Sequence, residues 1–237
     1  MERLEEIMKR FFLPTKEVDG ADLGKANVER IIRDCQKSLI GKVIGEKLIN
    51  FVGMKNFVNQ VWGYPRNLKI FELGPNLFQF SFKNKEEMTR VFNGRPWIID
   101  NQLIVLNQWK ENIEYDKDVF NFSPIWIQVW DLPLHWLSKE VRSIIGGTAG
   151  EVLEVLLSES WGKKGKHLKV LVSVDITKPL MRGTIVKLNN KAIWARFVYE
   201  RSPDFCYKYG LIGHSDRNCR SRNEMGRRSM NLNLAAG

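Results

Sequence analysis

The chain has 237 residues, 43% of them hydrophobic and 27% charged, with a formal net charge of +10 and only three cysteines. This composition excludes a disordered chain and a disulfide framework, and it points to a reducing compartment, nucleus or cytoplasm. No run approaches the roughly 18 apolar residues of a membrane span, so no membrane partner is expected, and the opening MERLEEIMKRFF is too charged for a signal peptide.

Residues 1–35 read as an N-terminal helical segment, LEEIMKRFF and NVERIIRDC, broken around Pro14 and Gly20. Residues 36–112 follow a strand–helix–strand–strand–helix–strand order. LIGKVIG is a strand, and Leu48, Phe51, Val52, Phe57, Val58, Val61 and Trp62 recur at helical spacing across Glu46–Trp62. LKIFEL and NLFQFSF are strands joined at Gly74–Pro75. Asn84 opens a second helix, with Glu87 placed to complete a capping box and Asn93–Gly94 to end it. RPWIID and QLIVLNQW close the unit, turning at Asp100–Asn101. The order predicts a ferredoxin-like α+β domain of the architecture shared by RNA-recognition motifs. Phe78, Phe80 and Phe82 alternate on one face and are read as core rather than as base-stacking rings.

Residues 113–122 are polar and acidic and read as a linker. Residues 123–202 read as a second, smaller, strand-rich α+β unit: IWIQVWDLP, a helix from Ser138 to the Gly146–Gly147 stop, EVLEVLL, HLKVLVSVDI, and GTIVKL paired with AIWARFVYE. No internal repeat is strong enough to make the two halves duplicates. Residues 203–220 form a degenerate CCHC zinc knuckle, and residues 221–237 a basic tail.

Charge is segregated along the chain. Residues 1–160 carry 21 Lys/Arg against 22 Asp/Glu, whereas residues 161–237 carry 16 against 5. An excess of cations confined to the last third is the footprint of a surface for a polyanion, with a solubilising tail as the alternative.

Cys206, position 209, His214 and Cys219 fall at C-x2-C-x4-H-x4-C, a spacing that lets a short loop present four donors tetrahedrally to zinc. Gly210 and Gly213 sit where such a loop turns tightly. Tyr207 stands where an aromatic ring stacks an unpaired base. Position 209 is Tyr209, and a phenol, a weaker acid than a thiol, ligates zinc far less readily. Three ligands are left, with water a candidate for the fourth site. Beyond the knuckle, Trp194 and Arg196 share a strand face with Lys187 near by, as a single-strand groove or simply as a half-exposed sheet face. The basic tip Lys163, Lys164 and Lys166 suits phosphate contact or is a solvated loop. Lys208, Arg217, Arg220, Arg222, Arg227 and Arg228 supply further cations. No catalytic motif occurs, and His135, His167 and His214 lie far apart in sequence.

The knuckle, the preceding WARFVYERSPDFC, GKVIGEK, FELGPNLFQFSF and WIQVWDLPL resemble plant retrotransposon-derived proteins that carry the domain of unknown function 4283 followed by a CCHC zinc knuckle. The resemblance covers about residues 36–220. It implies the gag-like, nucleic-acid-binding part of a non-LTR element or a host gene descended from one. By the family pattern Cys206, His214 and Cys219 correspond to zinc ligands, and Tyr209 departs from it. The expectation is a non-enzymatic binder of single-stranded nucleic acid, RNA ahead of DNA. The alternatives are a self-associating homo-oligomer, or a decayed element fragment whose knuckle has lost zinc.

Overall fold

The structure is a computed structural model that describes residues 24–116, 118–133, 136, 138–156, 167–188, 191–201, 203–206, 208–214 and 219. The first expected helix, LEEIMKRFF, lies outside them. Residues up to Gln36 form one unit, represented by the helix α1 (Lys25–Cys35), which coincides with NVERIIRDC. Val28, Ile31, Ile32 and Cys35 give that helix its apolar spacing, and Arg33 sits in its last turn, where a cation suits the helix dipole.

From Lys37 the chain builds a second unit around two five-stranded antiparallel sheets. The first contains β1 (Ser38–Ile44), β2 (Lys69–Gly74), β3 (Leu77–Ser81), β4 (Trp97–Ile99) and β5 (Gln102–Gln108), with α2 (Phe51–Val61) after β1 and α3 (Lys85–Asn93) after β3. The spatial order β2-β3-β1-β5-β4 is the split β-α-β arrangement of a ferredoxin-like domain, with β4 added as a short edge. The α+β expectation for this segment is therefore met. Asp100 and Asn101, with φ of 46° and 63°, make the tight hairpin turn between β4 and β5 that the sequence marks.

Two local expectations are corrected. Helix α2 starts at Phe51 rather than Glu46, because side chains from elsewhere in the fold claim the preceding backbone. Lys47 N donates to Gln102 Oε1 at 2.9 Å and Ile49 N to Asn76 Oδ1 at 2.9 Å. Asn50 then caps the helix by accepting from Gly53 N at 2.6 Å. The capping box at α3 does not form. Asn84 occupies the N-cap without a side-chain hydrogen bond, and Glu87 Oε1 accepts instead from Arg66 N at 3.4 Å.

Leu39, Val43, Phe78, Phe80, Ile104 and Leu106 bury one sheet face against Met54 and Val58 of α2, Trp62 at its C-terminal end, and Met88 and Val91 of α3. Phe78, Phe80 and Phe82 are all buried, as the core reading expects, and Trp62 meets Phe80 edge-on at 4.9 Å. Gly41 in β1 makes room for this, since a Cβ there would come within 2.8 Å of both Phe80 and Leu106.

The polar stretch after β5 contains two short 3-10 turns, Ile113–Tyr115 and Asp118–Phe120, and sends Ile113 and Phe120 into the core. The second sheet then forms from β6 (Phe122–Trp130), β7 (Glu151–Leu156), β8 (Leu168–Asp175), β9 (Gly183–Leu188) and β10 (Lys191–Tyr199), with α4 (Lys139–Gly146) after β6. Ser138 caps α4 by accepting from Val141 N at 3.3 Å. The spatial order β7-β8-β6-β10-β9 repeats that of the first sheet strand for strand. Contrary to expectation, the halves do share one topology. Among the described residues, the segment between the third and fourth strands differs, with α3 in the first half and residues 176–182 in the second.

The layers follow from which face each side chain takes. Ile40, Leu103 and Val105 leave the first sheet on the face away from α2 and α3. They join Ile125, Ile127, Val129, Val170, Val172, Phe197 and Ile145 of α4 in one continuous core. The first sheet is thus covered on both faces. Among the described residues the second sheet carries a helix on one face only, the face of Val152 and Val170, on which Gly146 of α4 lies.

Candidate metal centre and nucleic-acid interface

The chain leaves β10 and folds back as a small hairpin, β11 (Phe205–Cys206) with β12 (Leu211–Ile212). Phe205 pairs with Ile212 and Cys206 with Leu211, and Gly210 N donates to Cys206 O at 2.7 Å to close the loop. Gly210 and Gly213 have φ of 77° and 99°, a region that side chains rarely enter, so both glycines are required by the turn. The hairpin is docked on its surroundings: Leu180 N donates to Gly210 O at 2.8 Å, and Ile212 belongs to the core shared by the sheets.

This geometry brings the ligand atoms of Cys206, His214 and Cys219 to within 4.8 Å of one another. Zinc holds sulfur at about 2.3 Å and imidazole nitrogen at about 2.0 Å, so ligand atoms of a tetrahedral site lie roughly 3.3–3.8 Å apart. The three donors fit zinc with small adjustments. Both cysteines are buried and free of any disulfide, and His214 is half-buried. Tyr209, also half-buried, stands in the loop where the spacing would place a fourth ligand.

Of the residues expected to contact nucleic acid, Tyr207, Arg217, Arg220, Arg222, Arg227, Arg228, Lys163, Lys164 and Lys166 lie outside the described residues. Lys208 is exposed. Trp194 and Arg196 lie side by side on the helix-free face of the second sheet, each 51% exposed. Lys187 pairs with Ala192, which puts it on that same face. Arg196 Nε binds Asp131 Oδ2 at 3.1 Å.

The sequence reading passed over the neighbours of this pair. Arg196 pairs across the sheet with Trp130. His167 stacks on the Trp130 ring with centroids 4.7 Å apart and planes 18° apart. Lys169 lies over Trp126 at 4.7 Å. Alternation in WIQVW was the available signal, since it sets Trp126, Gln128 and Trp130 on one face.

A polar chain fixes these rings. Trp130 Nε1 donates to Gln128 Oε1 at 3.0 Å, Gln128 Nε2 to Glu200 Oε1 at 2.7 Å, and Lys169 Nζ sits 2.6 Å from Glu200 Oε2. Burial pushes the Glu200 carboxyl up, but the hydrogen bonds from Gln128 and Lys169 and the Lys169 charge outweigh it, and the net pKa is lowered. At Asp175, hydrogen bonds from Lys178 and Thr177 hold the carboxyl at about 2. Groups whose pKa falls on folding stabilise the fold above their unfolded value, near 4, and that contribution disappears as pH drops through the folded value. Stability is therefore expected to decline below about pH 4.5. Glu200→Gln should decline less steeply than wild type over the same window in urea unfolding, and parallel curves would refute the assignment.

Residues 31–117 match the family described as domain of unknown function (DUF4283), and residues 174–221 match a zinc-knuckle family. The chain thus carries a DUF4283 domain followed by a zinc knuckle. The second match is longer than the loop and includes the β9–β10 hairpin. No curated protein matches the chain in sequence. Among solved structures, the RNA binding domain of Hrp1 in complex with RNA is similar over 69% of this chain and 97% of that chain, at 14% identity and a TM-score of 0.27.

Proposed function

We propose that this protein binds single-stranded nucleic acid, RNA in preference to DNA, without catalysing a reaction. The observation that carries the reading is the convergence of Cys206, His214 and Cys219 in a zinc-knuckle loop whose chain continues into a cation-rich segment. Zinc held by these three residues would fix the loop. Lys208, Arg217, Arg220 and Arg222, with Lys163, Lys164 and Lys166, would then neutralise phosphates, and Tyr207 would stack a base. Trp194 and Arg196 on β10 would add a further ring and cation. The resemblance of GKVIGEK, FELGPNLFQFSF and WIQVWDLPL to plant retrotransposon-derived proteins supports a gag-like origin. Low cysteine content supports action in the nucleus or cytoplasm.

The test is a titration of the purified chain with single-stranded RNA across a salt series. Affinity is expected to fall steeply with salt, with a log–log slope of about 0.7 per phosphate contacted. A chelator should weaken binding and zinc restore it. Absence of binding at low salt would overturn the reading. A second reading, self-association, is favoured by exposed apolar side chains on and just before α2 (Leu48, Val52, Val61) and on the edge strand β2 (Phe71, Leu73). Light scattering that returns a dimer or larger species would support it, and a monomer would remove it.

A further inference from the structure

From the geometry of the second sheet we infer that its helix-free face is a base-stacking platform for single-stranded nucleic acid, centred on Trp130 and Trp194. The inference rests on the nucleic-acid reading above and assigns it a surface outside the metal loop.

The repeated topology supplies the control. The face of the first sheet that corresponds to this one presents Ile40, Leu103 and Val105, aliphatic residues that are buried in the shared core. In the second sheet the corresponding face is free of a helix among the described residues. Its side chains include Trp126, Trp130 and Trp194 alongside Leu171, Ile185 and Val198. Large rings left at a surface in a group mark an interaction site, because isolated exposure gains the fold nothing.

The rings are prepared for a flat ligand. Gly183 leaves the strand beside Trp194 bare, since a Cβ there would come within 2.7 Å of the indole, which therefore lies close against the sheet. Trp130 is held by the Gln128–Glu200–Lys169 chain. His167 already demonstrates the binding mode: a planar nitrogen heterocycle stacked on Trp130 at 4.7 Å, with its buried Nδ1 left without a hydrogen-bond partner. A base could take this place or extend the stack.

Charge selects the occupant and its path. Lys187 and Arg196, the latter ion-paired with Asp131, flank Trp194 on the β9–β10 side, Glu200 is tied to Gln128 and Lys169, and the carboxylates Glu151 and Glu154 lie on β7 at the other edge. A polyanion is thus guided along β6, β10 and β9. Strands β9 and β10 fall within the zinc-knuckle match, so this side of the platform and the metal loop belong to one contiguous module.

The experiment is fluorescence anisotropy of a labelled oligouridylate with the full chain, comparing wild type, Trp194→Ala, Trp194→Phe and Lys187→Glu. Trp194 is exposed, so its replacement should leave the fold intact, and a thermal melt checks this. Trp194→Ala is expected to weaken binding roughly tenfold with its salt slope unchanged, because stacking is not ionic. Trp194→Phe should restore most of the loss, and Lys187→Glu should flatten the salt slope. If wild type binds and none of the variants differs, the platform is overturned and the face is left to a protein partner. If wild type does not bind at all, the nucleic-acid reading itself fails, and the platform with it.

Discussion

Replacing Tyr209 with cysteine is expected to tighten zinc binding by about a hundredfold or more, because even an outer-sphere partner of a metal ligand changes affinity 10- to 100-fold and Tyr209→Cys adds a direct ligand. The three donors already converge to within 4.8 Å, so the fourth thiolate completes a site whose ordering is largely done. Completing the set also alters the electrostatics, since a Cys3His site carries one more negative charge than the present one at neutral pH. A competition titration against a chromophoric chelator measures the difference. Removing a ligand works in the opposite direction: Cys206→Ser, at a fully buried position, leaves two donors and should lose measurable zinc. If zinc is present at a hundred times its Kd, binding adds about 2.7 kcal/mol to the folded state. Tyr209→Cys should therefore show its gain in the melting temperature as well as in the titration. An unchanged affinity for Tyr209→Cys would mean that position 209 does not face the metal, and would remove it as the place of the fourth ligand.

The second large effect concerns stability. Phe80→Ala is expected to cost about 3–5 kcal/mol, the usual range for truncating a fully buried phenylalanine. The ring is completely enclosed, touches Trp62 edge-on, and faces the gap left by Gly41. Chemical denaturation gives the number. The same variant separates two roles for the phenylalanines of β3. A structural ring lowers stability and leaves the affinity of the folded fraction for RNA untouched. A stacking ring would do the reverse, so weakened RNA binding with an unshifted denaturation midpoint would defeat the core reading.

Much of this arrangement was legible in the residues. Alternation in NLFQFSF and HLKVLVSVDI gave strands whose buried faces are the expected ones, because period-two burial is a local property of a half-covered sheet. The metal loop was legible because ligand spacing in a tight turn is also local. What escaped depended on distant partners. The late start of α2 is imposed by Gln102 and Asn76, which lie 55 and 27 residues away from the backbone groups they occupy. Glu87 is drawn from its helix cap to Arg66 for the same reason. The shared topology of the two sheets left no trace in the residues. Strand order asks only for alternating apolar positions, and different side chains satisfy that in a covered sheet and in a half-open one. The aromatic group around Trp130 needed the register between β6 and β10, which no local pattern encodes.

The anchoring of the small terminal hairpin has a thermodynamic consequence. Asp204 N donates to Asn101 O at 2.5 Å, at the tip of the β4–β5 turn in the first sheet, while Gly210 O accepts from Leu180 N beside the second. A ligand that orders the hairpin therefore also biases the opening of a turn in the DUF4283 half, more than 100 residues earlier in the chain. The terminal hairpin and the β4–β5 turn would then share one local-unfolding equilibrium, and an ion bound in the hairpin would be registered as slower amide exchange at the turn.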